Sequence, residues 1–117
     1  MAGNEDIRRI SIKLKPLSIN QAFQGRRFKS KGHRQYEKDI HALVKPCLNP
    51  LTGMIVATYS FFIKNDKMTD GDNLVKVLQD ILVKLGYIKD DRYIKRYIIE
   101  KYHSENEHIE VEFREIK

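Results

Sequence analysis

Apolar and polar residues alternate with a period of two in several stretches of the chain, and this pattern predicts β-strands. Ile7–Lys15 alternates isoleucine and leucine with arginine, serine and lysine, and His108–Ile116 alternates apolar residues with glutamate and arginine. Met54–Lys64 is rich in β-branched and aromatic residues with few charges, which favours a central strand. Tyr93–Tyr102 is the fourth predicted strand, and a polar turn at 104–107 joins it to the last one.

Two other stretches follow the 3.6-residue period of an amphipathic α-helix. The first, His33–Lys45, is stopped by Pro46. The second, Asp72–Leu85, is flanked by residues suited to its ends, because Asp72 can cap its start and Gly86 its end. It also has the clearest apolar stripe in the sequence, made by Leu74, Leu78, Ile81, Leu82 and Leu85.

The order of these elements predicts one α+β domain over residues 1–117. It runs strand, loop, helix, strand, helix, strand, strand, which favours one small mixed or antiparallel sheet with two main helices packed on it. Hydrophobic residues make up 41% of the chain and charged residues 32%, a balance typical of a globular protein. A second domain would have too little chain for a core of its own.

Three features of the sequence predict a cytoplasmic protein that contacts no membrane. The longest mostly apolar stretch, Met54–Ile63, is far shorter than the roughly 20 residues of a transmembrane helix. The first ten residues lack the apolar run of a signal peptide. A single cysteine, Cys47, excludes an intrachain disulfide and fits a reducing compartment, and the four histidines are not spaced as zinc ligands.

The net charge of +6, from 22 basic and 16 acidic residues, indicates a polyanionic partner such as nucleic acid. A run of closely spaced basic residues can follow the phosphates of DNA, and each contact makes binding more dependent on salt. An ordinary solvated loop can carry the same charges, so both interpretations stay open. Five positive charges fall within nine residues around the start of the first predicted helix: Arg26, Arg27, Lys29, Lys31 and Arg34.

Acidic residues cluster at the start of the second predicted helix and just beyond its end. Asp70 and Asp72 are two residues apart across a glycine, so in an extended loop both carboxylates can face one cation. Mg²⁺ prefers such oxygen ligands, usually one or two carboxylates with water and a substrate phosphate. Lys76 lies one helical turn beyond Asp72, where it can hold a phosphate or neutralise charge as a phosphodiester is attacked. Asp90 and Asp91 follow the helix.

These residues also have a purely structural interpretation. Asp72 can be a helix cap, Asp72 and Lys76 an ion pair, and the later acids an exposed turn. Against this, bare carboxylates are unfavourable at a surface that contacts a polyanion unless a cation bridges them.

The reach of the chain leaves a second question open. The predicted helix is about 21 Å long, and the five residues from Gly86 to Asp91 span at most about 17 Å. Asp91 therefore joins Asp70 and Asp72 only if the chain doubles back along the helix. Otherwise it completes the site of a partner subunit.

The order of these residues resembles the RusA family of Holliday-junction resolvases. The family pattern P-D-x-D-N-L-x-K followed by a D-D pair is similar to residues 69–76 and 90–91, with Thr69 in place of the proline and a later lysine, Lys101. Residues 16–20, the basic loop and the tyrosine-bearing helix are also similar, so the resemblance covers most of the chain.

The resemblance implies a homodimeric, Mg²⁺-dependent endonuclease that nicks four-way DNA junctions symmetrically in recombination and repair, often encoded by a phage or prophage. Carried over by position, the catalytic and metal-binding carboxylates are Asp70, Asp72 and Asp91, and Lys76 is the catalytic lysine. The main alternative is a non-catalytic protein of the same fold that binds junctions without cutting them. An RNA-binding protein lacks support, because no strand in the sequence is like those whose aromatic residues stack RNA bases.

The strand predicted at 93–102 is apolar on both faces, with Tyr93, Tyr97 and Ile99 on one and Ile94 and Ile98 on the other. In so small a domain, the second face is covered either by a helix or by another copy of the chain. The pattern is therefore compatible with the implied homodimer but does not require it.

Overall fold

A computed structural model of the protein describes residues 6–17, 23–24, 28–29, 31–67 and 71–116. Its strands and two helices follow one another in the predicted order. None of the helices in these residues is long and apolar enough to cross a membrane. The elements are β1 Ile7–Ile12, β2 Phe23–Gln24, β3 Phe28–Lys29, α1 Lys31–Leu43, β4 Met54–Ile63, α2 Gly71–Lys84, a 3-10 turn at Asp91–Tyr93, β5 Ile94–His103 and β6 His108–Ile116.

A four-stranded mixed sheet, in the order β1, β6, β4, β5, confirms the predicted α+β fold. β6 is antiparallel to both of its neighbours, β1 and β4. β4 and β5 are parallel, and α2 forms the crossover between them, because parallel neighbours cannot be joined by a tight turn. β5 is therefore an edge strand, and α2 packs beside it.

The hydrophobic core lies on one face of this sheet. Every second residue of β4 from Ile55 to Ile63 is buried, and the residues between them are not. β1 and β6 contribute buried residues with the same alternation. Both helices pack one side into this core, through Tyr36 and Ile40 in α1 and through Leu74, Val75, Val77, Leu78, Ile81 and Leu82 in α2. The alternation that predicts the strands thus marks the face that the helices cover.

A bulge in β5 decides which of its side chains face α2. Ile94 pairs with Ile55, but the next pair is Arg96 with Val56, so β5 carries one extra residue. The prediction that Ile94 shares a face with Ile98 is therefore wrong, because the bulge turns Ile94 into the core, where it is 9% exposed. Four residues beyond the bulge pair with buried residues of β4 and share their face: Tyr97, Ile99, Lys101 and His103.

Two local predictions differ from the structure. α2 begins at Gly71, so Asp72 is the second residue of the helix and not its cap. The basic segment before α1 was expected to be irregular, but it contains the β2–β3 hairpin, whose two-residue strands are too short to produce a period in the sequence. Lys29 belongs to β3, whereas Arg26 and Arg27 lie outside the described residues.

Gly86 ends α2 in a left-handed conformation, as the sequence predicts, with a φ of 90°. The Gly86 N–H donates to Val83 O at 3.0 Å and the Tyr87 N–H donates to Leu82 O at 3.3 Å, which together form a Schellman cap. A Cβ at Gly86 would also collide with the carbonyl oxygen of Cys47. Glycine is therefore required where the chain leaves α2.

Replacing Gly86 with Ala is expected to lower the free energy of unfolding by at least about 1–2 kcal/mol, the cost of a left-handed conformation for an L-residue. The collision with the Cys47 backbone adds to this cost. Urea denaturation measures the effect. Gly53→Ala is the matched control, because its Cβ would meet only the Glu115 side chain, which can move away, and we expect a change within about 0.5 kcal/mol. Equal losses in the two variants would contradict the role given to Gly86.

Candidate active site

One flank of α2 carries two residues of the predicted site, Asp72 and Lys76. Positions 72, 76, 79 and 83 follow one another at helical spacing and form a single stripe along the helix. Asp72 and Lys76 are exposed, Gln79 is buried and Val83 is half-buried. The helix therefore puts Asp72 and Lys76 on one face, one turn apart.

The start of α2 lies directly against β5 because residue 71 is a glycine. A Cβ at Gly71 would come within 2.5 Å of Ile99 Cγ2, so a larger residue would push the helix away from the strand. This close approach forms a cleft of about 460 Å³ lined by Gly71, Asp72, Ile99 and Lys101. The cleft joins a carboxylate and an ammonium group beside the N-terminal end of a helix, a set of groups that suits a cation and a phosphate.

Asp91 lies at the other end of the same flank. After Gly86 the chain turns back, and Asp91 begins the 3-10 turn that leads into β5. It lines a second cleft of about 310 Å³ together with Asp80, Val83 and other residues of α2. Asp91 has thus returned along α2 as far as Asp80, which is two turns, or about 12 Å, from Asp72.

The neighbouring acids Asp90 and Asp91 have different surroundings. The Asp90 carboxylate caps the 3-10 turn, since Oδ1 accepts the Arg92 N–H at 3.0 Å and Oδ2 lies 3.3 Å from Arg92 Nε. The hydrogen bond from the Arg92 backbone is the main reason why the pKa of Asp90 is lowered. Asp90 therefore has a structural role, which favours Asp91 as the member of the pair that is available for chemistry.

A buried hydrogen-bond chain lies between the two clefts. Gln79 is only 6% exposed, and its Oε1 accepts a hydrogen bond from the Tyr59 hydroxyl at 2.8 Å. Gln79 Nε2 donates to the hydroxyl oxygen of Tyr97 at 3.1 Å. Burial raises the pKa of Tyr59, and the charges of Tyr97, Asp80 and Asp91 raise it further. The chain thus links Tyr59 of the core to Tyr97 of the edge strand through Gln79 of α2.

The basic segment ends beside the Asp91 cleft. Lys31 and Arg34 are exposed in the first turn of α1, and His33 between them is buried and lines that cleft. On the same side, Lys84 Nζ of α2 donates to Glu37 Oε2 of α1 at 3.3 Å and ties the two helices together. The predicted phosphate-binding residues that the structure describes thus lie at the end of the flank where Asp91 is found.

A metal centre that joins Asp70, Asp72 and Asp91 stays a prediction. Asp70 lies outside the described residues. Asp72 and Asp91 line different clefts. Within the described ranges, no group of three or more His, Cys, Asp or Glu side chains is close enough to share a metal ion.

Gln79, Tyr97 and Lys101 were not among the predicted site residues. One local signal points to Gln79, because it is an uncharged polar residue directly after Leu78 in the apolar part of a helix. Tyr97 and Lys101 reach the flank of α2 through the parallel pairing of β4 and β5 and through the bulge. Neither of these features has a signature in the sequence.

One protein family matches almost the whole chain. The family model described as endodeoxyribonuclease RusA matches residues 15–114 of the 117. The matched range includes both helices, the 3-10 turn and β5, and hence both clefts. A search of curated proteins found no match.

Proposed function

The chain belongs to the RusA family of endodeoxyribonucleases, and membership of this family implies Holliday-junction resolvase activity. From this premise we propose how the chain acts. It is a Mg²⁺-dependent, structure-selective endonuclease that makes paired, symmetric nicks in four-way DNA junctions during recombination and repair. The observation that supports this best is the flank of α2, where Asp72 and Lys76 are exposed one turn apart beside a cleft that also contains Lys101.

The residues at this flank suit Mg²⁺. Asp72 offers a hard oxygen ligand at an open cleft, and Mg²⁺ commonly takes only one or two carboxylates and keeps several water molecules. Asp70, two residues earlier, and Asp91, from the turn before β5, are the other proposed ligands. Mg²⁺ held there supplies Lewis-acid activation of water and neutralises phosphate charge.

Lys76 acts on the phosphate that is being cut. Its exposed ammonium group lies one turn from Asp72 on the same flank, so it can approach the scissile phosphate from the helix side. Negative charge grows on the phosphate oxygens as the bond breaks, and a fixed positive charge stabilises that state more than the ground state. Lys76 therefore contributes to the rate more than to the affinity for DNA.

The basic residues hold the junction. Lys31 and Arg34 are exposed at the start of α1, and the sequence adds Arg26, Arg27 and Lys29 just before them. Contacts of such residues with phosphates provide affinity without reading the base sequence. The single cysteine fits the reducing cytoplasm, where we propose that the protein acts.

The active unit is a homodimer with twofold symmetry. Resolution of a four-way junction requires nicks in two opposed strands, and one chain of this size provides one set of proposed catalytic residues. A twofold dimer matches the approximate twofold symmetry of the junction and brings two such sets to it. The symmetry of the proposed dimer thus matches that of its substrate.

Cleavage of a synthetic four-way junction, labelled on each strand in turn, tests the proposed function. With Mg²⁺ we expect nicks at symmetric positions in two opposed strands, with 5′-phosphate and 3′-hydroxyl ends, and with EDTA we expect binding without cleavage. A linear duplex of the same sequence is the control and should stay intact. Binding without cleavage at every Mg²⁺ concentration would favour a non-catalytic junction-binding protein instead.

A further inference from the structure

The Gln79 hydrogen-bond chain has a fixed direction. Tyr59 is fully buried, and its hydroxyl donates to Gln79 Oε1. Turning the Gln79 amide over would remove this acceptor from a hydroxyl that has no access to water, and an unsatisfied buried donor is costly. The amide of Gln79 is therefore held with Nε2 toward Tyr97.

This direction determines what the Tyr97 hydroxyl can do. Its oxygen accepts the hydrogen bond from Gln79 Nε2 at 3.1 Å, so its own hydrogen has to point away from Gln79. Tyr97 is 44% exposed, so a ligand can reach this side chain. The structure thus presents a hydroxyl donor at the surface and anchors it from below through a buried amide.

Tyr97 lies midway along the flank of α2 that carries the proposed active site. On β5, Ile99 and Lys101 line the cleft of Asp72, and Tyr97 is the preceding residue on the same face. At its other side, Tyr97 is hydrogen-bonded to Gln79, which lies one helical turn before Val83 of the Asp91 cleft. The hydroxyl therefore lies between the two ends at which the proposed carboxylates are found.

We propose that Tyr97 is a further catalytic residue, whose hydroxyl donates a hydrogen bond to a non-bridging oxygen of the scissile phosphodiester, and that Gln79 positions it. This inference rests on the proposed function. A donor that is already oriented needs no rearrangement when charge develops on the phosphate, and such donors stabilise transition states strongly. The tyrosine keeps its proton throughout, so it complements Lys76 without replacing it.

Tyr97→Phe tests the role of the hydroxyl, because it removes one oxygen and leaves the ring. We expect the single-turnover rate of junction cleavage to fall roughly 100-fold, as for other preorganised donors. The dissociation constant for the uncut junction in EDTA should stay within about twofold, since the lost contact matters mainly in the transition state.

Tyr102→Phe is the matched control. Tyr102 belongs to the same strand, is 42% exposed and also uses its hydroxyl in a hydrogen bond, to Glu100 Oε1 at 2.9 Å. It stacks on Phe62 on the opposite face of the sheet, away from α2. We expect its cleavage rate to equal that of the wild type.

A double-mutant cycle tests the positioning role of Gln79. Gln79→Leu should slow cleavage in the wild-type background but change the rate by less than about twofold when Tyr97 is already Phe, because its effect passes through that hydroxyl. A purely structural role would slow both backgrounds equally. All rates are measured at a temperature where circular dichroism finds each variant folded.

Asp72→Asn in the same series separates this inference from the proposed function. If Asp72→Asn is inactive while Tyr97→Phe cuts as fast as Tyr102→Phe, the role of Tyr97 is wrong and the proposed site remains. If Asp72→Asn cuts at the wild-type rate, the proposed site itself is wrong. Loss of cleavage in Asp72→Asn and Tyr97→Phe, with normal cleavage in Tyr102→Phe, supports both.

Discussion

Asp72→Asn is expected to lower the rate of junction cleavage at least about a hundredfold, while binding of the junction persists or becomes tighter. Asparagine keeps the shape of the side chain but removes the negative charge proposed to hold Mg²⁺. The same change removes a charge that repels phosphate, which explains the opposite effect on binding. Cleavage and gel-shift assays on one labelled junction measure the two effects separately.

The same substitution at Asp70 and at Asp91 is expected to have the same effect, because both are proposed ligands. Asp90→Asn is the matched control, since both acids line the cleft but the Asp90 carboxylate is engaged in capping the 3-10 turn through the Arg92 N–H. An asparagine oxygen can accept that hydrogen bond, so the turn should persist. Near-normal cleavage by Asp70→Asn or Asp72→Asn would show that the assignment of that residue is wrong.

The regular elements could be predicted because their hydrophobic patterns are strong. The bounds of β6 agree with the predicted strand at both ends, and α2 is displaced by only one residue at each end. In both elements one face is buried against the rest of the core, so burial imposes its period on the sequence. β2 and β3 were not predicted, because a strand of two residues is too short to show an alternation of apolar and polar positions.

The arrangement of the site depends on packing between elements that are distant in the sequence. In the sequence, Gly71 looks like an ordinary loop glycine. In the structure it allows α2 to approach Ile99, and this contact brings Lys101 to Asp72. The bulge in β5 turns Tyr97 toward Gln79. Each of these effects requires the parallel pairing of β4 with β5, which the order of the elements alone did not predict.

The position of Asp91 illustrates how far chain length can constrain a site. Asp91 can act within its own subunit only if the chain doubles back along α2. The left-handed Gly86 makes that turn, and Asp91 lies beside Asp80 of the same chain. Two turns of α2 still separate Asp91 from Asp72. The two carboxylates can therefore act together only if bound metal and DNA bridge this distance, or if Asp91 completes the site of the partner subunit.

Mixed dimers are expected to cut one strand of a junction without resolving it. If the active unit is a twofold dimer, light scattering at micromolar concentration should give twice the 13.8 kDa of one chain. A chain with Asp72→Asn keeps its proposed DNA-binding residues but loses its proposed active site. Paired with a wild-type chain, it should leave one strand of every bound junction intact.

A supercoiled plasmid with an extruded cruciform makes this difference visible. The wild-type dimer should produce linear plasmid, because two opposed nicks cut both strands within the lifetime of one complex. Dimers purified through different tags on the two chains should produce nicked circles, and Asp90→Asn in place of Asp72→Asn should restore the linear product. A mass of one chain at concentrations that give linear plasmid would contradict the dimer, because a single site could then make both cuts in succession.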